Sequence, residues 1–266
     1  MRASIVGRLR AAGCVFAEDE ADLLIAAAQT PDRLEDMVQL RASGLPLEHV
    51  IGWAEFCGLR IAVGPGVFVP RRRSEFLVGQ AIAAARESAI PGSSWLVVDL
   101  CCGSGAVGVA VAAGLSTLGQ VELHAADIEP AAVQCARANV AAVGGTVYQG
   151  DLYEPLPVEL RGRVALLVVN APYVPTGEIA MMPPEARLHE PLVALDGGPD
   201  GVVTHRRVAA AAPEWLAPGG RLLIETSERQ APQTAAAMTA AGLTAVVSTD
   251  EELDATAVIG TLADVP

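Results

Sequence analysis

Apolar positions along the chain fall into three regimes. Over residues 1 to about 55, Ile5, Leu9, Leu23, Leu24, Ile25, Leu34, Met37, Val38 and Leu40 recur at helical spacings. Glu18 to Asp22 carry acidic residues near the start of the second segment, where a helix dipole favours them. Gly44-Leu45-Pro46 breaks this pattern. From Phe56 to Pro70, short extended runs surround Gly64-Pro65-Gly66, which predicts a hairpin linker over 56–70. Beyond Arg71 strands and helices alternate. Strands are predicted at 95–100, 121–126, 146–149, 164–169 and 221–225, with helices at 76–85, 106–113, 130–143, 203–216 and 231–241. Two last strands, 243–248 and 256–262, have no helix between them, so the final strand should be antiparallel. The predicted architecture is α/β: a helical N-terminal domain (1–55), the linker, and a doubly wound, mainly parallel sheet domain over 71–266.

Composition narrows the class. Apolar residues make up 52% of the 266 positions, yet no uninterrupted apolar run nears the roughly 18 residues of a membrane span. The N-terminus has no signal-peptide core. Cys14, Cys57, Cys101, Cys102 and Cys135 are odd in number and lack ligand spacing, which points to reduced thiols and a cytoplasmic location. His49, His124, His189 and His205 do not cluster either, so no metal is expected. The net charge is −13, and all 18 basic residues are Arg. Such a chain lacks the basic stripe whose counterion release drives nucleic-acid binding. Without Lys it has no Schiff-base chemistry. Arg71-Arg72-Arg73 is the one dense basic run; it can bind a carboxylate or phosphate, or simply be solvated. Ser74 behind it can cap the following helix.

Val169-Asn170-Ala171-Pro172-Tyr173 is where chemistry is expected. Leu166 to Val169 read as a strand buried on both faces, and Pro172 forbids its continuation. Asn170 therefore stands at the carboxyl end of a central strand, the edge where open α/β sheets bind ligands. Its oxygen and the backbone carbonyl of Ala171 can accept both hydrogens of a planar NH2 group, while Tyr173 covers the flat face. The plainer reading is an Asn-initiated turn.

The first strand of the sheet runs into Asp99-Leu100-Cys101-Cys102-Gly103-Ser104-Gly105, and Gly103, Gly105 and Gly108 satisfy G-x-G-x-x-G. Asp127 lies 19 residues beyond Gly108, placed to take ribose hydroxyls. This motif alone fits a nicotinamide dinucleotide or S-adenosylmethionine. Asp99 favours the second, because a carboxylate there repels a pyrophosphate but suits a cationic methionine amino group. Asp151 after the third strand can accept from an adenine amino group while Leu152 packs on the ring.

Taken together these residues resemble the protein N(5)-glutamine methyltransferase family of the HemK/PrmC type. Its signature here comprises Pro70-Arg71 with Ser74-Glu75, Asp99 to Gly105, Asp127 with Ala136 and Asn139, Asp151, and Asn170 to Tyr173. It continues through Glu190-Pro191, Ala194 to Gly198, Asp200-Gly201, and Gly219-Gly220 with Glu225 and Gln230. The resemblance implies a Rossmann-like S-adenosylmethionine-dependent methyltransferase with a seven-stranded sheet. It implies cofactor contacts from Asp99, Cys101, Cys102, Gly103, Ser104, Gly105, Asp127, Asp151, Leu152 and Asn170. Asn170, Ala171, Pro172 and Tyr173 would hold the substrate, with Asn170, Pro172 and Tyr173 catalytic. The implied substrate is the Gly-Gly-Gln glutamine of a peptide chain release factor, and a monomer is expected. Two positions depart from the family: Ala171 replaces a usual Pro, and Cys101-Cys102 replaces a usual Gly-Thr. The alternatives are an adenine-N6 methyltransferase on DNA or RNA, an NAD-dependent oxidoreductase, and a non-catalytic cofactor-binding paralogue.

Overall fold

The computed structural model describes residues 1–88 and 93–264. Four helices open the chain: α1 (Arg2–Ala11), α2 (Ala17–Ala27), α3 (Pro31–Ala42) and the short α4 (Leu47–Ile51). Thr30 caps α3 by accepting from the Arg33 N–H, with Pro31 in the first turn where no N–H is needed. Their inward faces form a small core of their own around Leu9, Leu24, Met37 and Val38. Within it Arg41 donates to both oxygens of Glu20, at 2.6 and 3.1 Å, and both side chains are buried. Two buried opposite charges in forked geometry satisfy one another where either alone would be costly.

A hairpin follows, β1 (Trp53–Phe56) with β2 (Leu59–Ala62). Its turn is Cys57-Gly58, both at positive φ (50° and 71°), the backbone a two-residue hairpin turn needs. This places the hairpin upstream of the Gly64-Pro65-Gly66 turn that the sequence suggested. Cys is an unusual occupant of a left-handed position, so the true turn carries no obvious signal. Gly64 to Val67 does close a turn, but Val67 to Val69 pairs with no strand among the described residues. That extended segment is held by side chains instead: His49 Nε2 meets the Val67 carbonyl at 2.9 Å, and the Val69 N–H donates to Glu190 at 3.2 Å.

The remaining elements are α5 (Glu75–Ser88), β3 (Ser94–Leu100), α6 (Ala106–Leu115), β4 (Gln120–Asp127), α7 (Pro130–Ala141), β5 (Thr146–Gln149) and β6 (Val164–Val169). They continue with α8 (Pro184–His189), α9 (Val203–Trp215), β7 (Leu216–Thr226), α10 (Ala231–Ala240), β8 (Thr244–Asp250) and β9 (Ala255–Thr261). The seven-stranded sheet has the order β5-β4-β3-β6-β7-β9-β8. β9 is antiparallel to both its neighbours and the other pairings are parallel, as the missing last helix implied. Strand β7 begins at Leu216, five residues before the sequence suggested, because Leu216 already pairs with Val164 across a bulge. One sheet face packs on α5, α6 and α7 through Val97, Leu166 and Val168; the other packs on α9 and α10 through Val98, Leu167 and Val169. Alternating residues of β3 and β6 thus feed two cores, which is why their sequences are apolar without interruption. Chain order reverses at β3, so its carboxyl end and that of β6 open on a crevice.

Candidate active site

That crevice is a cavity of about 930 Å³, and Asp99, Cys101 to Ser104, Asp127, Asp151, Leu152 and Asn170 to Tyr173 all line it. Gly105 is in the sequence-predicted set but does not line the cavity. At φ 79° it closes the turn behind the loop, its N–H donating to the Cys102 carbonyl at 2.7 Å. A Cβ on Gly105 would stand 2.9 Å from Val140 of α7. One on Gly108 would meet the Asp99 carboxylate at 2.9 Å. Gly105 and Gly108 therefore let the loop approach α7 and α6 approach β3 at distances no side chain permits, while Gly103 serves by its positive φ of 55°.

Asp99 is buried and accepts the Gly108 N–H at 2.8 Å through Oδ2. Burial, partly offset by that hydrogen bond and reinforced by the nearby Asp127, pushes its pKa up to about 7. Asp127 accepts the Gly103 N–H at 2.8 Å and the Glu129 N–H at 2.9 Å, one on each oxygen. Each oxygen keeps a lone pair for a further donor. Burial raises the Asp127 carboxyl as well. Cys101 occupies the left-handed region (φ 55°) at the position where the family usually has glycine, and burial raises its thiol. Leu152 is likewise left-handed (φ 50°), and Asp151 beside it takes a 2.7 Å bond from Arg207 of α9.

Asn170 follows the last residue of β6, and its Nδ2 donates to Ser74 Oγ at 3.1 Å. Its Oδ1 takes no hydrogen bond from the described residues. Ser74 is buried in the turn before α5 and does not act as the helix cap that the sequence suggested. Pro70, Arg71 and Arg73 join the cavity wall beside it. Arg71 is drawn against Glu190 in an ion pair, and its guanidinium also lies over the Phe68 ring at 5.1 Å. The basic run is thus partly built into the site. Tyr173 donates from its hydroxyl to Glu225 Oε1 at 3.3 Å. Its carbonyl is held by Gln230 Nε2 at 2.8 Å, and that same nitrogen donates to the Asp200 carbonyl at 3.1 Å. The Asn139 side chain ties the glycine loop to the hairpin, donating to the carbonyls of Ser104 (2.8 Å) and Ala62 (2.9 Å). Ser74, Glu190, Gln230 and Asn139 match the family signature, but residue type alone gave no hint of these contacts.

The donor set fits S-adenosylmethionine. A buried carboxylate at the end of β3 complements an ammonium group, and the two oxygens of Asp127 at the end of β4 complement diol hydroxyls. Gly103, at φ 55° with open space where a Cβ would stand, lets backbone face the cavity and admits a close-lying ligand.

Comparisons with known proteins agree. The methyltransferase small domain family matches residues 74–184. The release factor glutamine methyltransferase of Mycolicibacterium smegmatis is 36% identical over 248 residues, covering 87% of this chain and 85% of that one. The Geobacter sulfurreducens protein of the same name is 38% identical over 197 residues, covering 73% of this chain and 65% of that one. A 4-amino-L-phenylalanine/4-methylamino-L-phenylalanine methyltransferase of Streptomyces pristinaespiralis is 34% identical over 235 residues, 88% of this chain and 78% of that one. In fold, a crystal structure of a methyltransferase from Pyrococcus furiosus superposes with a TM-score of 0.54 at 13% identity, covering 77% of this chain and 90% of that one. With the sheet order, the glycine cradle and relatives at this identity and coverage, the chain belongs to the release factor glutamine methyltransferase family, whose members are S-adenosylmethionine-dependent methyltransferases.

Proposed function

We propose that the chain methylates the side-chain amide nitrogen of a glutamine in a protein loop, the Gly-Gly-Gln segment of a peptide chain release factor. The observation that carries this is the side chain of Asn170, anchored by its NH2 on Ser74 with its oxygen left without a partner among the described residues, beside Ala171, Pro172 and Tyr173 on one cavity wall. Asp99, Asp127, Asp151, Leu152 and the loop residues Cys101 to Ser104 would hold the cofactor on the adjoining wall, with Gly105 closing the turn behind them. When bound, S-adenosylmethionine supplies an electrophilic methyl on a sulfonium.

A glutamine nitrogen is a poor nucleophile because its lone pair is delocalised into the carbonyl. The Asn170 oxygen and the Ala171 carbonyl accept its two hydrogens and hold the nitrogen in line, and such orientation lowers a barrier by several kcal/mol. As the nitrogen gives up its lone pair, its hydrogens become more acidic, so the same acceptors bind the transition state more tightly than the ground state. Tyr173 covers the amide plane. No dedicated base is required, because the N-methylated cationic amide is acidic enough to release its proton to water.

The mouth of the cavity also suits a macromolecular loop. Ile128, Leu192 and Val193 line it yet are 50%, 60% and 44% exposed, apolar surface against which the side chains of such a loop can pack. A second reading, an aromatic amine on a small amino acid, is favoured by the Streptomyces relative. Methyl transfer from labelled S-adenosylmethionine to a release factor, to 4-aminophenylalanine and to duplex DNA separates these readings. Labelling of the release factor at the Gly-Gly-Gln glutamine is the expected result. Labelling of the amino acid alone would overturn it, and salt-sensitive DNA labelling would bring the adenine reading forward.

A further inference from the structure

Arg71-Arg72-Arg73 is the densest basic run of the chain, and the methyl transfer described above leaves it unused. Its members separate in the structure: Arg71 and Arg73 line the cavity and Arg72 does not. Arg207 of α9 lines it too. Two of these three cavity arginines are already engaged. Arg71 pairs with Glu190 and lies over the Phe68 ring, and Arg207 donates to Asp151 at 2.7 Å. Arg73 differs. Its Nε stands 3.9 Å from Glu225 Oε1, too far for a hydrogen bond, and it donates to no other group among the described residues. A guanidinium carries five N–H donors in a planar fork, and here that fork sits on a side chain 46% exposed in the cavity wall. Two contacts fix where it stands. Ser74, the next residue, holds the Asn170 amide at 3.1 Å. The Glu225 oxygen that Arg73 approaches is the one that meets the Tyr173 hydroxyl, at 3.3 Å. Arg73 is therefore beside the substrate wall, close to the anchor of Asn170 and to the hydroxyl end of Tyr173.

We propose that Arg73 is a substrate-binding residue whose guanidinium donates to the peptide carbonyls of the glycines preceding the target glutamine. This role rests on the glutamine reading of the site. Two methylene groups separate a glutamine amide from its own backbone, so with the amide at Asn170 the main chain of the loop passes within reach of Arg73. Glycine has no side chain to screen its carbonyl, and a fork of donors can engage neighbouring carbonyls where an ammonium offers only a point charge. The oxygen that Arg73 takes is a neutral one. Each arginine on this wall faces a buried glutamate, Arg71 with Glu190 and Arg73 with Glu225. The wall thus carries little net charge to attract a free carboxylate, while a carbonyl dipole needs none. Arg73 thereby favours an amide set in a glycine segment over an amine on a free amino acid.

Steady-state kinetics of the whole protein on a Gly-Gly-Gln peptide test the assignment. Arg73→Ala should raise KM about 10- to 100-fold, the scale of hydrogen bonds to a charged group, with kcat changed by less than about 3-fold. The Kd of S-adenosylhomocysteine should change by less than about 2-fold, since the cofactor wall is untouched. Arg73→Lys keeps a cation beside Glu225, which guards against a loss of folding, and should recover only part of the KM. A purely structural role would move KM alike for every peptide, so the two glycine carbonyls are removed in turn by alkene isosteres of their peptide bonds. At least one isostere should raise the wild-type KM about 10-fold yet add less than about 2-fold in Arg73→Ala. The N–H that the isostere also removes is lost to both enzymes equally and cancels. A wild-type KM in Arg73→Ala would overturn the role, as would isostere and substitution effects that simply multiply. So would an Arg73→Ala enzyme weakened toward 4-aminophenylalanine but not toward the peptide, the mark of a carboxylate site. A wild type that methylates no peptide would remove the glutamine reading and this role with it, whereas an active wild type with no effect of Arg73 on KM removes the role alone.

Discussion

Replacing Asp99 by Asn removes one charge from the cofactor wall while keeping an oxygen for the Gly108 N–H, which Oδ2 now accepts at 2.8 Å. In the free protein the Asp99 carboxyl ionises only near pH 7, because burial outweighs the bond from Gly108. A ligand carrying an ammonium group binds the ionised form. Roughly 90% of the protein is in that form at pH 8, about 10% at pH 6 and about 1% at pH 5. The dissociation constant of S-adenosylhomocysteine, which has the same amino group and transfers no methyl, should rise about 10-fold from pH 8 to 6. It should rise about 100-fold by pH 5, unless the bound-state pKa is reached first. Calorimetry at pH 7 in buffers of different ionisation enthalpy should show release of about half a proton on binding. Asp99→Asn should bind about 10- to 150-fold more weakly at pH 8, the scale of one lost charge-assisted hydrogen bond. Its pH profile should flatten to the shallower slope contributed by Asp127, whose carboxyl burial also raises. A wild-type affinity that is constant from pH 5 to 8 with the fold intact would refute the assignment of Asp99 to the amino group.

The same group makes a stability prediction. Its folded pKa lies above that of an unfolded Asp, so its contribution to stability is present below about pH 4 and lost as pH rises through about 7. Asp99→Asn should therefore raise the unfolding free energy of the ligand-free protein at pH 8, read by urea denaturation. Asp127→Ala should weaken cofactor binding by roughly 1.5–3 kcal/mol and lower Tm, since the N–H groups of Gly103 and Glu129 lose their acceptors; NAD should not bind in calorimetry. Gly108→Ala sets a Cβ 2.9 Å from the Asp99 carboxylate and 3.0 Å from Leu123. It should destabilise by about 1–3 kcal/mol and abolish detectable cofactor binding, measured by denaturation and calorimetry. Asn170→Ala should keep the fold and much of the cofactor affinity but lose about 100- to 1,000-fold in kcat, and Asn170→Asp, which keeps the acceptor oxygen, should lose less. Wild-type turnover by Asn170→Ala on a verified substrate would reduce Asn170 to a turn residue.

Local pattern determined much of this protein. Leu166 to Val169 read as a doubly buried strand because every position is apolar, and these four buried residues close β6, which stands at the centre of the sheet between β3 and β7. The spacing of Gly103, Gly105 and Gly108 announced a loop that the backbone builds, since a chain forced into positive φ and close approach favours glycine at those steps. Asp99, Asp127 and Asp151 could be placed at one sheet edge simply because each ends a strand of a parallel sheet. Tertiary structure alone decided what stands behind these residues. Ser74 meets Asn170 across 96 residues of chain, and Glu225 meets Tyr173 across 52. Asn139 reaches 77 residues back to hold the hairpin. Contacts at such separations leave no trace in a periodicity of two or 3.6 residues, because the sheet order, not the local chain, brings the partners together. The hairpin turn at Cys57-Gly58 was hidden for the opposite reason. It is wholly local, but a left-handed Cys is held there by the surrounding fold, its N–H bonded to Glu75 at 2.9 Å, rather than by its own preference.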